Sequence, residues 1–202
     1  MSFLFRRLVR PILFELDSEW IHDRTIAASE SVGGVGWAIR WLRRYYKVDD
    51  ERLEVSLGDI VFDNPIGLAA GFDKNGRAVS LLDALGFGHV EVGSVSAYSS
   101  KGNRRPRLFR LPKDEAIIVN YGVPNEGAKV VGERLRHCSY KGTMGVNIVE
   151  TNTGKSSTHE QIVAEYVEAI RLLGGTADYI ALNLNCPNTS AGESAFDDSA
   201  TL

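Results

Sequence analysis

Cysteine is scarce in this sequence, with only Cys138 and Cys186 in 202 residues. Two thiols cannot build a disulfide framework, and such sparing use suits a reducing compartment. A cationic excess is missing as well. Lys and Arg number 23 against 26 Asp and Glu, a net charge of −3. That is the wrong sign for a surface gripping phosphate backbones, so nucleic acid is not expected as a partner. No apolar run approaches the roughly 20 residues of a membrane-crossing helix. The opening Met1-Ser2-Phe3-Leu4-Phe5-Arg6-Arg7 is basic and apolar, but no long apolar stretch or small-residue cleavage site follows it. A secretory leader is not expected. His22, His89, His137 and His159 have no metal-ligand spacing, so no metal is expected either. Internal repeats and low-complexity tracts are absent. Hydrophobic residues make up 44% of the chain and charged ones 24%, a balance that favours a folded domain over disorder.

The chain changes character near residue 50. Leu8 to Leu16 is short, apolar and edged with arginine, and Asp17-Ser18 then offers an N-cap to a helix running on from Glu19. After Gly33-Gly34, Val35, Ala38, Ile39, Leu42, Tyr45 and Tyr46 form a helical stripe, widened by Trp37 and Trp41 and flanked by Arg40, Arg43, Arg44 and Lys47. Two readings are open for this part: an interfacial helical cap lying on a bilayer, or a helical hairpin packed on its own domain with solvated arginines. Residues 53–57 and 60–62, separated by Gly58-Asp59, read as a β-hairpin. Four short apolar runs follow, at 66–70, 89–95, 143–149 and 179–184, the first three leading into helices. The first helix carries Ala78, Leu81, Leu82 and Leu85, and the second, after a long polar loop, carries Ala128, Val131 and Leu135. Ser157-Thr158-His159-Glu160 reads as a capping box for the third, striped by Val163, Tyr166, Val167, Ile170 and Leu173. Alternating β and α of this kind predicts a parallel sheet with right-handed crossovers. The expected fold class is α/β, of the (β/α)8 barrel type, with about four of its eight units visible.

Ligands of such folds bind beyond the carboxyl ends of the strands. Those ends are unusual here. The first run ends in Ala69-Ala70-Gly71-Phe72-Asp73-Lys74-Asn75-Gly76, where small residues allow a flat ring close to the backbone and Lys74 supplies a cation. The second ends in Gly93-Ser94, the third holds Asn147, and the fourth ends in Asn183-Leu184-Asn185-Cys186-Pro187-Asn188-Thr189. Amides both donate and accept, so they suit a neutral planar ring bearing C=O and N–H groups, such as a flavin or a pyrimidine. Asp73 fits either an orienting role toward Lys74 or, better, a cap for the following helix. Lysine at such a spot is otherwise a solvated surface charge. The basic residues within 104–110 are interleaved with Pro and Phe and read as a structural loop beside the site.

These segments, in order, resemble the dihydroorotate dehydrogenase family. The resemblance is carried by Ala69 to Gly76, Gly86-Phe87-Gly88, Glu91-Val92-Gly93-Ser94-Val95, Gly102-Asn103 with Arg105-Pro106-Arg107-Leu108-Phe109-Arg110-Leu111-Pro112, Gly145-Val146-Asn147, and Asn183 to Thr189. Leu13-Phe14-Glu15-Leu16-Asp17-Ser18-Glu19, with His22 and Thr25, is similar to the helical cap of its membrane-associated, quinone-using class. The resemblance implies a helical membrane-associating cap over 1–50. It implies the N-terminal half of an FMN-binding barrel over 51–202, with the rest of the barrel, including a flavin-contacting Lys and the phosphate-holding loops, lying outside this sequence. Ala69, Ala70, Gly71, Phe72, Asp73, Ser94, Asn147 and Asn183 would line FMN. Lys74, Asn183 and Asn188 would meet the substrate, with Asn120 and Asn125 as further candidates. Cys186 holds the place of the catalytic base, which removes the C5 proton of dihydroorotate while C6 passes hydride to flavin N5; FMN carries the redox chemistry and a quinone is the final acceptor. The implied location is peripheral, on the cytoplasmic face of a bacterial inner membrane or on the mitochondrial inner membrane.

The chain also departs from the family pattern. Quinone-using members carry Ser at the base position, and the soluble class carries Cys, so Cys186 behind this N-terminus makes a hybrid. A free thiol titrates near about 8.5 and is lowered by cationic surroundings; the plain alternative is a small buried hydrophobe. Val119 stands where an Asn is usual, with Asn120 one place along, and Val149-Glu150 replaces Gly-Lys. These changes leave the flavin side intact and erode the pyrimidine side, so a related cyclic amide is an alternative substrate. A silent half-barrel serving as a folding or binding unit is a third expectation. Half a barrel has open sheet edges, which predicts association and weak FMN binding.

Overall fold

The computed structural model describes residues 3–155 and 157–189. A π-helical turn at Phe5–Val9 runs into α1 (Arg10–Glu15). The next helix, α2 (Ser18–Gly33), starts where the sequence predicts, with Asp17 Oδ1 accepting from the Trp20 amide at 2.8 Å. α3 (Gly36–Tyr46) folds back after it. The hairpin of β1 (Val55–Leu57) and β2 (Ile60–Phe62) turns at Gly58, whose φ of +59° favours a residue without a side chain.

From there the β/α alternation takes over. β3 (Gly67–Leu68) leads to α4 (Val79–Ala84), and β4 (His89–Val95) follows. Next come β5 (Leu108–Leu111), β6 (Ala116–Val119) and α5 (Ala128–Arg136). β7 (Thr143–Val149), α6 (His159–Leu173) and β8 (Tyr179–Asn183) complete the described chain. The strands β3, β4, β7 and β8 lie side by side in that order, all parallel.

Side chains alternate across this sheet as the pleat requires. Val92, Met144, Val146 and Ile148 face the helices and are fully buried against Val131 and Leu135 of α5 and Ile162, Ala169 and Leu173 of α6. His89, Glu91, Asn147, Tyr179 and Asn183 take the other face. A second cluster joins Ile26 of α2 to Ala78, Leu82 and Val90, so the N-terminal helices are packed on the β/α unit rather than held apart from it. α3 is tied to the same unit by the pair of Arg43 with the buried Asp83, while its Trp37 and Trp41 remain 70% and 60% exposed.

Several details differ from expectation, beginning with the first hairpin strand, which is Val55–Leu57 because Glu51–Leu53 forms a 3-10 turn. The first strand of the parallel sheet is two residues long rather than five. The loop between β4 and α5 contains the antiparallel pair β5–β6. The capping box is one residue later than expected, with Thr158 as the cap and Gln161 as its reciprocal partner. The buried stripe of α6 is Ile162, Tyr166, Ala169 and Leu173, and Val163, Val167 and Ile170 lie exposed on its flank. That flank has no described helix beside it.

Candidate active site at the carboxyl ends of the strands

The chain leaving β3 is folded back over the end of β4. Gly71 N donates to Gly93 O at 2.7 Å, and Gly93 N donates to Asp73 O at 3.0 Å. Asp73 is buried and its carboxylate accepts from the amides of Arg77 (2.9 Å) and Ala78 (2.6 Å), capping the entry to α4. Ala69 and Gly71 stay exposed, and a Cβ placed on Gly71 would meet nothing within 4 Å. The result is a low, small-residue ledge with open space above it.

Beside the ledge, three of the expected residues form one hydrogen-bonded group. Ser94 Oγ donates to Asn147 Oδ1, and Asn183 Nδ2 lies 3.4 Å from Ser94 Oγ. Asn147 Nδ2 donates to Glu91 Oε1 at 3.0 Å, and Tyr179 donates its hydroxyl to Glu91 Oε2 at 3.1 Å. Tyr166 anchors the end of β8 by donating to Asn183 O at 2.7 Å.

Lys74 belongs to a neighbouring cleft of about 760 Å³ between α2 and the β4–α5 loop. Its Nζ donates to Gly71 O at 2.7 Å, lies 3.2 Å from His22 Nε2, and stands 4.5 Å over the Tyr121 ring. His22 packs edge-on against Phe72 at 5.3 Å. Burial lowers the Lys74 pKa, although Asp23 and Glu19 oppose the shift. Burial, and then the Lys74 charge, lowers that of His22. Burial, with Glu19 and Asp23 nearby, pushes the Tyr121 phenol up to about 12. Lys74 shares no hydrogen bond with Asn147 or Asn183; the backbone link through Gly71 and Gly93 is what joins the two groups.

The remaining candidates sit around Asn103. Its Nδ2 donates to Asn120 Oδ1 at 2.8 Å and to Asn188 O at 2.9 Å, drawing the loop after β8 toward the loop before β5. Asn125 is buried, and its amide is occupied within the fold: Oδ1 accepts from Ser96 N and Gly127 N, and Nδ2 donates to Ser96 Oγ and Val123 O. Cys186 is half-buried, and its carbonyl oxygen accepts from the amide and hydroxyl of Thr189. Sequence reasoning does not single out Glu91, Asn103, Tyr121 or Tyr179 as site residues. Glu91 and Asn103 do lie inside family-like segments, where a charge within a core strand and an Asn beside a glycine are the available signals.

Basic residues of the β4–α5 loop are structural, as expected. Arg107, 5% exposed, makes a bidentate pair with Glu19 of α2 and donates to the carbonyls of Lys101 and Asn103. Arg110 donates to Leu13 O and Leu16 O and covers the Phe14 ring at 4.8 Å.

Comparison with known proteins agrees with this architecture. The family described as dihydroorotate dehydrogenase matches residues 52–202. A dihydroorotate dehydrogenase (quinone) of Acidithiobacillus ferrooxidans is 40% identical over 183 residues, covering 90% of this chain and 50% of that protein. The mitochondrial dihydroorotate dehydrogenase (quinone) of Mus musculus is 45% identical over 150 residues, or 70% of this chain and 37% of that one. Among solved structures, the Eimeria tenella enzyme in complex with ferulenol superposes with a TM-score of 0.68 at 34% identity, over 86% of this chain and 45% of that chain. The chain thus spans about half the length of the curated relatives it matches. Its parallel sheet and helices correspond to part of an α/β barrel, and the chain belongs to the dihydroorotate dehydrogenase family.

Proposed function

We propose that this chain forms the flavin-facing part of an FMN-dependent dihydroorotate dehydrogenase of the quinone-using kind. The observation that carries the reading is the joined group Ser94–Asn147–Asn183 beside the open ledge at Ala69, Ala70 and Gly71. A neutral set of hydroxyl and amides next to a surface with no side chain in the way fits a flat, uncharged heterocycle. Phe72 and Asp73 shape the ledge from below, and Lys74 brings positive charge to its edge.

Bound FMN supplies a two-electron acceptor. The protein's own groups then have separate tasks. Lys74 faces the substrate carboxylate, and Asn183 and Asn188 hold the pyrimidine, with Asn120 and Asn125 fixing the neighbouring loops through Asn103 and Ser96. Cys186 would take the C5 proton of dihydroorotate as the C6 hydrogen leaves with its electron pair, so that the substrate would lose two electrons and two hydrogens. The electrons finally reach a quinone, and the quinone-class relatives support that acceptor. Location at a membrane surface is the reading that the exposed Trp37 and Trp41 support; among the described residues no helix is long and apolar enough to cross a membrane.

The test is anaerobic titration of the FMN-loaded protein with dihydroorotate, followed at the flavin absorbance maximum. Bleaching that disappears in Cys186→Ala, with FMN still bound, is the expected result. Bleaching by another cyclic amide alone would reassign the substrate. A second reading is favoured by the exposed flank of α6 and by β3 and β8 having no outer neighbour in the sheet among the described residues: the chain acts as a folding or binding unit without turnover. It predicts FMN binding with no bleaching by any dihydropyrimidine.

A further inference from the structure

We infer that Glu91 is a positioning residue, which from beneath the rim fixes the direction in which the rim amides point. The flavin reading above supplies only the ligand for this inference. The hydrogen-bond polarity itself is a property of the protein.

The geometry begins with a row across three strands. Glu91 pairs with Gly145 of β7, and Gly145 pairs with Tyr179 of β8. Tyr179 therefore has to cross an entire strand to reach Glu91. It does so because Gly145 has no side chain; a Cβ there would lie 2.1 Å from Tyr179 Cζ. One carboxylate oxygen is thus taken by the phenol at 3.1 Å, and the other by Asn147 Nδ2 at 3.0 Å. Burial, and then the nearby Glu91, raises the Tyr179 pKa, which keeps its proton in place as the donor.

A carboxylate accepts and has no proton to give. Asn147 must then turn its NH₂ toward Glu91 and its Oδ1 toward Ser94. That orientation leaves Ser94 one option, which is to donate its single proton to Asn147 Oδ1. With the proton committed, Ser94 Oγ serves Asn183 only as an acceptor, so Asn183 turns Nδ2 inward and Oδ1 away from Ser94. One carboxylate sets the polarity of three side chains in series. A ligand ring meets one pattern of donors and acceptors rather than a mixture of amide flips, and the reorientation cost of binding falls.

Glu91→Gln removes the reason for that polarity while preserving shape. The amide it introduces can donate to Asn147 Oδ1, so Asn147 adopts both orientations and the Ser94 hydroxyl is released. In the unmodified protein, nuclear Overhauser contacts should run from the Asn147 side-chain amide protons to the Glu91 methylene protons. In Glu91→Gln, the Asn147 and Asn183 side-chain amide resonances should shift or double, and FMN titration should give about tenfold weaker binding, the scale of one mispaired hydrogen bond. Tyr179→Phe leaves the carboxylate facing Asn147 and should preserve the contacts seen in the unmodified protein. Amide protons of Asn147 lying against Ser94 instead of Glu91 would overturn the inference, even if Glu91→Gln failed to fold. Unchanged side-chain amide resonances and unchanged FMN affinity in Glu91→Gln would overturn it too. If the unmodified protein took up no FMN, the flavin reading would fall, and the amide contacts would still decide the role of Glu91.

Discussion

Arg107 and Glu19 show how burial sets the worth of a charged residue. The pair is 88 residues apart in sequence and almost fully enclosed, and it ties α2 to the loop that carries Asn103 and Asn120. Removing Arg107 leaves Glu19 with only the largely exposed Arg105 as a partner, so Arg107→Ala should cost about 3 kcal/mol in denaturant unfolding. Burial raises the Glu19 pKa, but Arg107 and Arg105 outweigh it and leave the value below the ordinary 4.5. A carboxylate with a depressed folded-state pKa contributes stability that is complete above its unfolded value and lost as pH falls through the folded one. Thermal stability should therefore drop below about pH 4.5, and this part of the drop should be missing in Glu19→Gln. At this scale Asn147 and Asn183 are legible in the sequence, because polar residues at the end of an apolar strand have few structural uses. Glu91 and Asn103 are not, because their partners lie on other strands and loops, 56 and 85 residues away.

The elements follow local rules closely wherever burial is one-sided. β4 and β7 occupy the predicted residues because each alternates against a helix layer. The β5–β6 ribbon reads as loop in the sequence. Its strands lie outside the main sheet, all four residues of β6 are exposed, and a ribbon with no buried face imposes no inward–outward alternation. The start of α6 differs from the predicted one by a residue because Ser157 with Glu160 and Thr158 with Gln161 both satisfy the capping-box pattern, so the sequence offers two adjacent caps of equal merit. Thr158 with Gln161 is the observed choice. Thr158→Ala should therefore cost about 1 kcal/mol, measured by chemical denaturation, and Ser157→Ala only a few tenths.

For the whole molecule, what the fold leaves uncovered matters as much as what it buries. Among the described residues the sheet ends at β3 and β8, and Val163, Val167 and Ile170 form an apolar flank where periodicity predicts core. A helical stripe reports an apolar face but not its occupant, so periodicity cannot distinguish these residues from Ile162 and Ala169. The same ambiguity applies to α3. There Trp41 stacks on Tyr45 at 5.7 Å between ring centroids, and both project outward among arginines, a pattern suited to a lipid headgroup layer. Replacing Trp37 and Trp41 together with Ser should abolish co-sedimentation with anionic liposomes while leaving the fold intact by circular dichroism; unchanged sedimentation would contradict membrane docking through this face.

The proposed flavin site is open to a direct measurement: addition of FMN to the isotopically labelled protein, followed residue by residue by NMR. Shifts should concentrate at Gly71, Lys74, Ser94, Asn147 and Asn183, with the β1–β2 hairpin silent. Saturable FMN binding that perturbs the hairpin or the α6 flank and leaves Ser94, Asn147 and Asn183 unchanged would contradict that expectation.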